Sequence, residues 1–348
     1  GVYTISKRDT KSYLGNGERM KKFLIVKING IGDIIMALTM IPCIKDRYDD
    51  AHITWIASSA AENILKASGV DEVIKINEKN ILYGNFTEKL RELFKVWKAI
   101  AFRKFDEVVI PYRDKRYLLF TIFSRKHNLF AFWRFKDRLF PIPERNFYNE
   151  YRRIITKNDC ESYDFKPFYI KGEVPFIDFK YIVLAPGGEK EKSNNLRLRR
   201  WPVERYANLS EELMSKGYKV VLTGGKNDRW VLPYFDKKRI IDFIGKTDIQ
   251  ESIQLYSAAL CVVTHDSGVL HMAGKGNATI IGLFGPTSPN VFMPKVQKSS
   301  IIWKNDLLPC CPCYDGRTFA DCNNNTCMEK ILVKDVIDAI EKILEGSF

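Results

Sequence analysis

The feature that most constrains the fold of this chain is a repeated pattern, in which a short apolar run ends in glycine and a helix-like segment follows. The first case, KKFLIVKINGIGDIIMALTMIPCIK at residues 21–45, passes through Gly30 and Gly32 to Asp33 before the helical pattern begins. HITWIA, VIKI and EVVIP continue the alternation of strand-like and helix-like segments without the glycine, separated by segments such as FTEKLRELFKVWKAIAF. This alternation predicts a parallel sheet with helices on both faces.

The pattern restarts in the second half of the chain with YIVLAPGG, KVVLTGG, CVVTHDSG and ATIIGLFGP. We therefore predict an α/β protein with one domain at residues 20–165, a second at 166–330, and a C-terminal helix at 331–348 that packs back on the domains. A chain of 348 residues is long enough for two domains. Open α/β sheets bind ligands at the carboxyl ends of their strands, so two facing units predict a cleft between them.

The net charge of +13 indicates a partner of opposite charge, which is nucleic acid, anionic lipid or a phosphorylated substrate, unless it reflects only a lysine-rich surface. No apolar run approaches the roughly 18 residues of a transmembrane helix. The first 20 residues carry no apolar signal-peptide core. We expect a cytoplasmic protein.

Glycines at four strand ends predict the binding of an anion. They are Gly30 with Gly32, Gly187 with Gly188, Gly224 with Gly225, and Gly268. Glycine lets the backbone approach a ligand closely and leaves helix N-terminal amides free to meet a diphosphate, although ordinary turns use glycine too. The stretch INGIGDIIMA lacks the third glycine of a dinucleotide fingerprint, and the Walker-A pattern is absent. A nicotinamide dehydrogenase is therefore disfavoured.

A basic segment follows APGG and precedes the next helix. Arg197, Arg199 and Arg200 stand directly before Trp201 and Pro202, and proline is well tolerated in a first helical turn. Guanidinium groups bind phosphate in a bidentate fork. The segment therefore predicts a phosphate site, with an exposed basic loop as the alternative.

Together these motifs resemble glycosyltransferase family 9, the ADP-heptose:lipopolysaccharide heptosyltransferases. The resemblance rests on VKINGIGDIIMALTMIP, APGGEK…LRLRRWPVERYANL, THDSGVLHMAGKGNATIIGLFGPTSP and CCPC…CMEKILVKDVIDAI, which occur in the family's order. It implies a GT-B fold of two facing Rossmann-like domains, in which the first binds the acceptor and the second binds the nucleotide-sugar. It also implies an inverting transfer without a catalytic metal.

The resemblance assigns roles to individual residues. Asp33 stands where the family has its proposed general base, and Arg199 stands where a lysine that contacts the donor phosphates is common. The donor-binding set that it implies consists of Gly187, Gly188, Arg199, Arg200, Asp266, Ser267, Gly268 and His271.

Other interpretations of three of these residues remain open. Asp33 could instead cap the following helix, because aspartate is a preferred N-cap. Asp266 could hold its own turn rather than a sugar hydroxyl. His271 could pack as an ordinary core side chain.

The resulting hypothesis is an inverting glycosyltransferase that moves heptose from ADP-heptose to a lipopolysaccharide inner-core acceptor. The alternatives are transfer to a protein acceptor, use of another nucleotide-sugar, and a nucleotide-binding protein without catalysis. A carboxylate in the Gly30–Asp33 turn separates the enzyme from the binding protein, because a pure binder has no need of a base there.

Residues 113–153 are basic and aromatic, with eleven Lys and Arg, four Asp and Glu, and eleven Phe, Trp and Tyr. The densest part, LFAFWRFKDRLF, predicts a helix that lies at an anionic membrane surface; a core helix and a nucleic-acid site are the alternatives. We therefore expect peripheral contact with the inner membrane and no nucleic-acid partner. The predicted acceptor contacts are Arg113, Lys115, Arg116, Arg125 and Lys126.

Five cysteines lie in CCPCYDGRTFADCNNNTC at residues 310–327. A C-x2-C opening followed by two more thiols is typical of a four-thiolate metal site, which would consist of Cys310, Cys313, Cys322 and Cys327. A structural zinc or iron and a set of free thiols are both compatible with the spacing. No cofactor is expected for catalysis.

Overall fold

The structure is a computed structural model that describes residues 19–28, 30–134, 141–158, 179–188, 196–316 and 318–345. In the first half, five parallel strands form a sheet in the order β3-β2-β1-β4-β5. The strands are β1 (Lys21–Val26), β2 (Ala51–Ser58), β3 (Glu72–Ile76), β4 (Lys104–Ile110) and β5 (Arg125–Ala131). The helices are α1 (Ile31–Ala37), α2 (Met40–Arg47), α3 (Glu62–Ala67), α4 (Glu78–Tyr83), α5 (Phe86–Ile100) and α6 (Phe147–Thr156), with 3₁₀ helices at Ser59–Ala61 and Lys115–Thr121.

The second half carries six parallel strands in the order β11-β10-β9-β6-β7-β8. The strands are β6 (Tyr181–Ala185), β7 (Lys219–Leu222), β8 (Ile241–Asp242), β9 (Cys261–His265), β10 (Ile280–Phe284) and β11 (Ser299–Trp303). The helices are α7 (Val203–Ser215), α8 (Ile249–Ser257), α9 (Gly268–Lys275), α10 (Pro289–Phe292), α11 (Thr326–Glu329) and α12 (Val333–Leu344), with 3₁₀ helices at Leu196–Arg199, Lys226–Tyr234 and Asn305–Leu307.

Each sheet is covered by helices on both faces, which explains why its strands are continuously apolar. In β1, Phe23 and Ile25 point into one core cluster, while Leu24 and Val26 point into another on the opposite face. All four side chains are fully buried. The α/β class and the two parallel sheets predicted from the sequence are therefore confirmed.

Two helix predictions differ from the structure. The segment predicted as one helix at residues 33–48 forms α1 and α2, which part at Thr39, whose hydroxyl donates to the carbonyls of Met36 and Tyr148. Within residues 331–348, where a C-terminal helix is predicted, the structure has α12, which packs against α7, β10 and β11. The predicted boundary of the domains, between residues 165 and 166, lies outside the described residues.

The prediction of a helix in the basic, aromatic segment LFAFWRFKDRLF is wrong for its described residues, 129–134. Residues up to Ala131 form β5, because its apolar residues pair with β4 and complete the sheet edge, as in the pairing of Leu129 with Val108. Residues 135–140, the end of that segment, lie outside the described part. Among the described residues, no helix is both long enough and apolar enough to cross a bilayer.

A buried indole supports the end of β1. The side chain of Trp55 is fully buried, and its Nε1 donates to the carbonyl of Lys27 at 3.0 Å. The Trp55→Phe variant removes this donor and leaves a buried carbonyl without a partner. We expect a loss of about 1–3 kcal/mol in the free energy of unfolding, measured by chemical denaturation.

Trp97→Phe is the matched control, because the Nε1 of Trp97 also donates to a backbone carbonyl, that of Leu119, at 2.7 Å. This indole is only half-buried, so water can replace the lost donor. The control should change stability by less than about 0.5 kcal/mol. Equal losses in the two variants would contradict the assigned role of Trp55.

Candidate active site

An ion pair between a buried lysine and a half-exposed carboxylate lies just beyond the carboxyl end of β1. Lys27 is 3% exposed, and its Nζ lies 3.1 Å from Asp33 Oδ2. The same ammonium lies 4.2 Å from the ring centroid of Tyr112 and 5.7 Å from that of Tyr151. Burial is the largest single influence and lowers the pKa of Lys27, but Asp33 and Tyr151 together raise it by more, so the net shift is upward. Sequence reasoning missed Lys27, which stands in the quoted VKINGIGD stretch as one lysine among many.

The turn before α1 brings the carboxylate to this position. Gly30 has a φ of +74°, which glycine adopts without strain, and a Cβ there would lie 3.1 Å from Asp33 Oδ2. Gly30 is the N-cap of α1, and Asp33 is the third residue of the helix. The capping alternative for Asp33 is therefore wrong. Its side chain is 46% exposed, so one of its faces is open to a substrate.

The two halves of the chain meet where α1 packs against α9. A Cβ on Gly32 would lie 2.6 Å from His271 Cδ2, and a Cβ on Gly268 would lie 2.7 Å from Ile31 Cγ2. Contacts this short do not occur between real atoms, so both glycines are needed for the close approach. The carboxyl ends of the two sheets consequently face each other, and Asp33 lies at their meeting place.

His271 bridges the two halves. It is 3% exposed, its Nδ1 lies 2.9 Å from the hydroxyl of Tyr148 in the first half, and its Nε2 lies 3.9 Å from Asp266 Oδ1. Burial lowers the pKa of His271, and the carboxylates of Asp266 and Asp33 oppose this shift only in part. The ring is therefore neutral at neutral pH. Its contacts match the packing interpretation, while contact with a donor stays a prediction.

Two arginines of the second half carry buried donors on the side that faces the first half. Arg199 Nη1 lies 3.3 Å from Oδ2 of the buried Asp266, which holds this arginine rather than only its own turn. The Nε atoms of Arg199 and Arg200 are buried and find no hydrogen-bond acceptor among the described residues. Buried guanidinium nitrogens without an acceptor among the described residues are able to bind an anion.

Asp228 joins two of the glycine turns, and sequence reasoning missed it. Its carboxylate accepts from the amide of Gly188 at 2.9 Å and from that of Gly225 at 2.7 Å. A Cβ on Gly187 would lie 2.4 Å from Asp228 Cγ. The glycines therefore make room for an internal carboxylate. The Gly188 amide already has an acceptor, so it is not free for a phosphate as we expected.

Two hydroxyls at the end of β10 were also missed. Thr287 and Ser288 are 1% and 4% exposed, and neither side-chain oxygen has a hydrogen-bond partner within the described part of the chain. They follow β10, which neighbours β9, and β9 is followed directly by Asp266 and by Ser267, the N-cap of α9. The signal in the sequence was the GPTSP segment directly after an apolar strand.

A segment of the second half, residues 311–316, reaches into the cleft through Tyr314. Burial raises the pKa of Tyr314; the carboxylates of Asp33 and Asp266 raise it further, and the guanidinium groups of Arg199 and Arg113 oppose them. These four charged groups, drawn from both halves, therefore surround one phenol. Arg113 Nη1 also donates to the carbonyl of Gly316 at 3.2 Å.

The five predicted acceptor contacts separate into two groups. Arg113, Lys115 and Arg116 follow the carboxyl end of β4, where Lys115 lies over the Trp133 ring and Arg116 pairs with Asp114. Arg125 and Lys126 begin β5, and their β4 neighbours are Lys104 and Phe105. These residues lie at the amino ends of the parallel strands, whereas Asp33 lies beyond the carboxyl end of β1. The structure therefore does not bring Arg125 and Lys126 to the cleft.

The predicted four-thiolate site is not formed. Within the described residues, no group of three or more His, Cys, Asp or Glu side chains is arranged to hold a metal ion. Of the predicted ligands Cys310, Cys313, Cys322 and Cys327, the first and third are exposed to solvent. The Cys327 thiol instead pairs with Cys311, which we had left out of the set, and this hydrogen bond lowers the pKa of Cys311 to about 7.

Solved structures share the fold at low sequence identity. Escherichia coli ADP-heptose lps heptosyltransferase II superposes with a TM-score of 0.69 at 18% identity, covering 94% of this chain and 99% of that chain. An E. coli heptosyltransferase solved with ADP superposes with a TM-score of 0.67 at 14% identity, covering 92% and 99%. Two facing Rossmann-like sheets with this likeness define a protein of the GT-B class.

Sequence comparison supplies the family. A family model for glycosyltransferase family 9 (heptosyltransferase) matches residues 152–322. The lipooligosaccharide heptosyltransferase 2 of Haemophilus influenzae is 26% identical over 316 residues, which cover 80% of this chain and 87% of that protein. The chain belongs to glycosyltransferase family 9, as its motifs predicted, and is a glycosyltransferase.

A second buried histidine makes stability depend on pH. His265 is 1% exposed, and burial, with Arg199 nearby, lowers its pKa to about 3. Between pH 6.5 and pH 3 the unfolded chain binds a proton at this residue and the folded chain does not, so stability falls as the pH falls. From pH 7 to pH 5 this contribution amounts to about 2 kcal/mol.

The His265→Gln variant should lose this part of the pH dependence of the free energy of unfolding, measured by urea denaturation at the two pH values. His127→Gln is the control, because His127 is exposed on β5. It should keep the pH dependence of the wild type. A His265→Gln variant with an unchanged pH dependence would show that this ring does not resist protonation.

Proposed function

We propose that the chain transfers heptose from ADP-heptose to an inner-core sugar of lipopolysaccharide with inversion, and that Asp33 is the general base. The observation that carries the proposal is the half-exposed carboxylate of Asp33 on the first half, which faces buried guanidinium nitrogens on the second that have no acceptor among the described residues. Membership of a heptosyltransferase family and the heptosyltransferase activity named for its relatives support it.

In the reaction, an acceptor hydroxyl attacks the anomeric carbon of the heptose while the bond from that carbon to the diphosphate oxygen breaks. Asp33 takes the proton of the attacking hydroxyl, a contribution that is typically worth about 10²- to 10⁴-fold in rate. The buried ammonium of Lys27, 3.1 Å away, restricts how the carboxylate can turn. One oxygen is held by Lys27, so the other is left for the acceptor.

The leaving ADP carries the negative charge that develops as the bond breaks. Arg199 and Arg200 supply positive charge, and the hydroxyls of Thr287 and Ser288 supply further donors at the same edge of the second sheet. Donors that are in place before the reaction stabilise this charge without reorganising, which is the largest single source of catalysis in many enzymes. Asp266 orients Arg199 in this arrangement.

The acceptor in this proposal is an acidic glycolipid anchored in a membrane. Arg113 and Lys115 follow β4 on the first half, where the family places the acceptor, and they carry charge that suits its phosphates. The protein would then work while in peripheral contact with the inner face of the cytoplasmic membrane.

The base is tested with Asp33→Asn. This variant keeps the shape of the side chain but cannot accept the proton, so kcat should fall by about 10²- to 10⁴-fold. ADP affinity, measured by calorimetry, should change by less than about threefold, because the carboxylate belongs to the opposite half. Transfer is measured with ADP-heptose and a heptose-deficient lipopolysaccharide.

Asp46→Asn is the control, because Asp46 is exposed on α2, away from the cleft. It should keep both kcat and ADP affinity. If Asp33→Asn retained transfer within a factor of about ten of the wild type, the base would be another group. If the wild type bound ADP but transferred no sugar to any acceptor, the non-catalytic alternative would be right.

The donor site is tested with Arg199→Met. Losing one charged hydrogen-bonding group to a diphosphate costs about 1.5–3 kcal/mol, so the Kd for ADP should rise by roughly 10- to 150-fold. Arg197→Met is the matched control, because Arg197 lies on the same 3₁₀ helix and is exposed. Similar effects of the two substitutions would indicate general electrostatic attraction rather than a site at Arg199.

A further inference from the structure

Helix α5 exposes an apolar stripe beside its buried face. Phe86, Leu90 and Phe94 are spaced four residues apart, so they lie on one face of the helix, and their exposed fractions are 78%, 42% and 63%. The core-facing side is separate and is formed by Val96 and Ile100, which are fully buried. The stripe is therefore not needed to attach the helix to the sheet.

The stripe continues onto neighbouring segments. Trp97 packs edge-on against Phe123 with ring centroids 5.1 Å apart, and the amide of Phe102 donates to the carbonyl of Phe123. Leu119 and Ile122 are exposed in the same segment, at 48% and 45%. We call this surface the apolar patch; it consists of Phe86, Leu90, Phe94, Trp97, Phe102, Leu119, Ile122 and Phe123.

Positive charge borders the apolar patch. Arg91, Lys95 and Lys98 are exposed on the helix face next to the stripe. The two acidic residues of α5 are engaged within the protein: Glu88 closes the capping box with Asn85, and the buried Glu92 accepts from the amide of Asn77. Beyond its first turn, the exposed charge of α5 is therefore entirely basic.

We propose that the apolar patch and its basic border dock this protein on an anionic lipid bilayer. Aromatic and aliphatic side chains enter the boundary between headgroups and acyl chains, while lysine and arginine beside them meet anionic headgroups. This charge complementarity favours a bilayer over a second copy of the chain, which would bring two basic borders together. The inference rests on the proposed function in one respect: a lipid-anchored acceptor explains why the protein docks on a bilayer.

The position of the apolar patch suits such an acceptor. The 3₁₀ helix Lys115–Thr121 has Leu119 near one end and Lys115 at the other, just after Arg113, which contacts the second half at Gly316. At about 2 Å per residue this helix is roughly 12 Å long. A sugar headgroup that rises from the bilayer at the patch would therefore arrive at the cleft.

The experiment measures sedimentation of the full chain with vesicles that contain no lipopolysaccharide and no ADP-heptose, so its result is independent of catalysis. Vesicles of phosphatidylcholine alone are compared with vesicles that contain about one quarter phosphatidylglycerol. The wild type should bind the anionic vesicles more tightly, and added salt should weaken this binding. A wild type that does not bind the anionic vesicles overturns the proposal.

The apolar contribution is tested with Phe86→Ser/Phe94→Ser, which should weaken partition by at least about tenfold. Ile301→Thr/Leu307→Ser is the matched control, because these apolar residues of the second half are exposed to a similar degree, at 46% and 56%. It should bind as the wild type does. Equal binding by all three proteins overturns the proposal.

The basic border is tested with Lys95→Glu/Lys98→Glu, which should lose most of the preference for anionic vesicles and keep the weak binding to neutral ones. Light scattering measures the mass of each variant in solution. If substitution in the apolar patch lowers the mass and leaves vesicle binding unchanged, the surface joins copies of this chain and the proposal is overturned. Melting temperatures confirm that each variant is folded.

Transfer to a delipidated acceptor fragment separates this proposal from the proposed function. Variants of the apolar patch should retain it and lose only transfer to acceptor embedded in vesicles. Absence of transfer by the wild type, with vesicle binding intact, would overturn the function and leave the docking surface in place.

Discussion

The ion pair between Lys27 and Asp33 is the interaction on which the site depends. A lysine placed between two tyrosine rings, at 3% exposure, must have a partner, because an unpaired buried charge costs several kcal/mol. That partner is a carboxylate whose other face is open to the cleft. Asp33 is therefore the counter-ion of Lys27, and in the proposed function the same carboxylate is the base. Asp33 therefore matters both for stability and for the proposed reaction. The turn at Gly30 leaves room for its carboxylate to approach Lys27.

The second half contributes positive charge, and it does so through side chains rather than through loop amides. Its glycine turns are filled by Asp228, which makes the loops rigid instead of leaving their amides open. In the proposed function, anion binding consequently falls to side chains, chiefly Arg199, which is paired with Asp266. The close contact between Gly32 and the ring of His271 brings the two halves together. Asp33 and the arginines therefore face each other although they belong to different sheets.

Local sequence predicted a large part of this arrangement. The strand ends, the glycine turns, Asp33 and the arginines could be found because each obeys a short-range rule of period, turn chemistry or charge. The positions of Arg125 and Lys126 could not be found in this way. Both are basic and close in sequence to Arg113, but a new strand begins at Arg125 and carries them to the opposite edge of the sheet. The cysteine set failed similarly, because spacing alone does not bring thiols together.

By itself, the sequence determined the class of fold, the family and the candidate base, since alternating periods, glycine turns and ordered motifs are written along the chain. Tertiary structure alone decided which charges are partners. Lys27 could not be distinguished from the other lysines until burial between two rings made its pairing with Asp33 necessary. The hydroxyls of Thr287 and Ser288 and the stripe on α5 became visible only through burial and exposure, because these depend on residues distant in the chain.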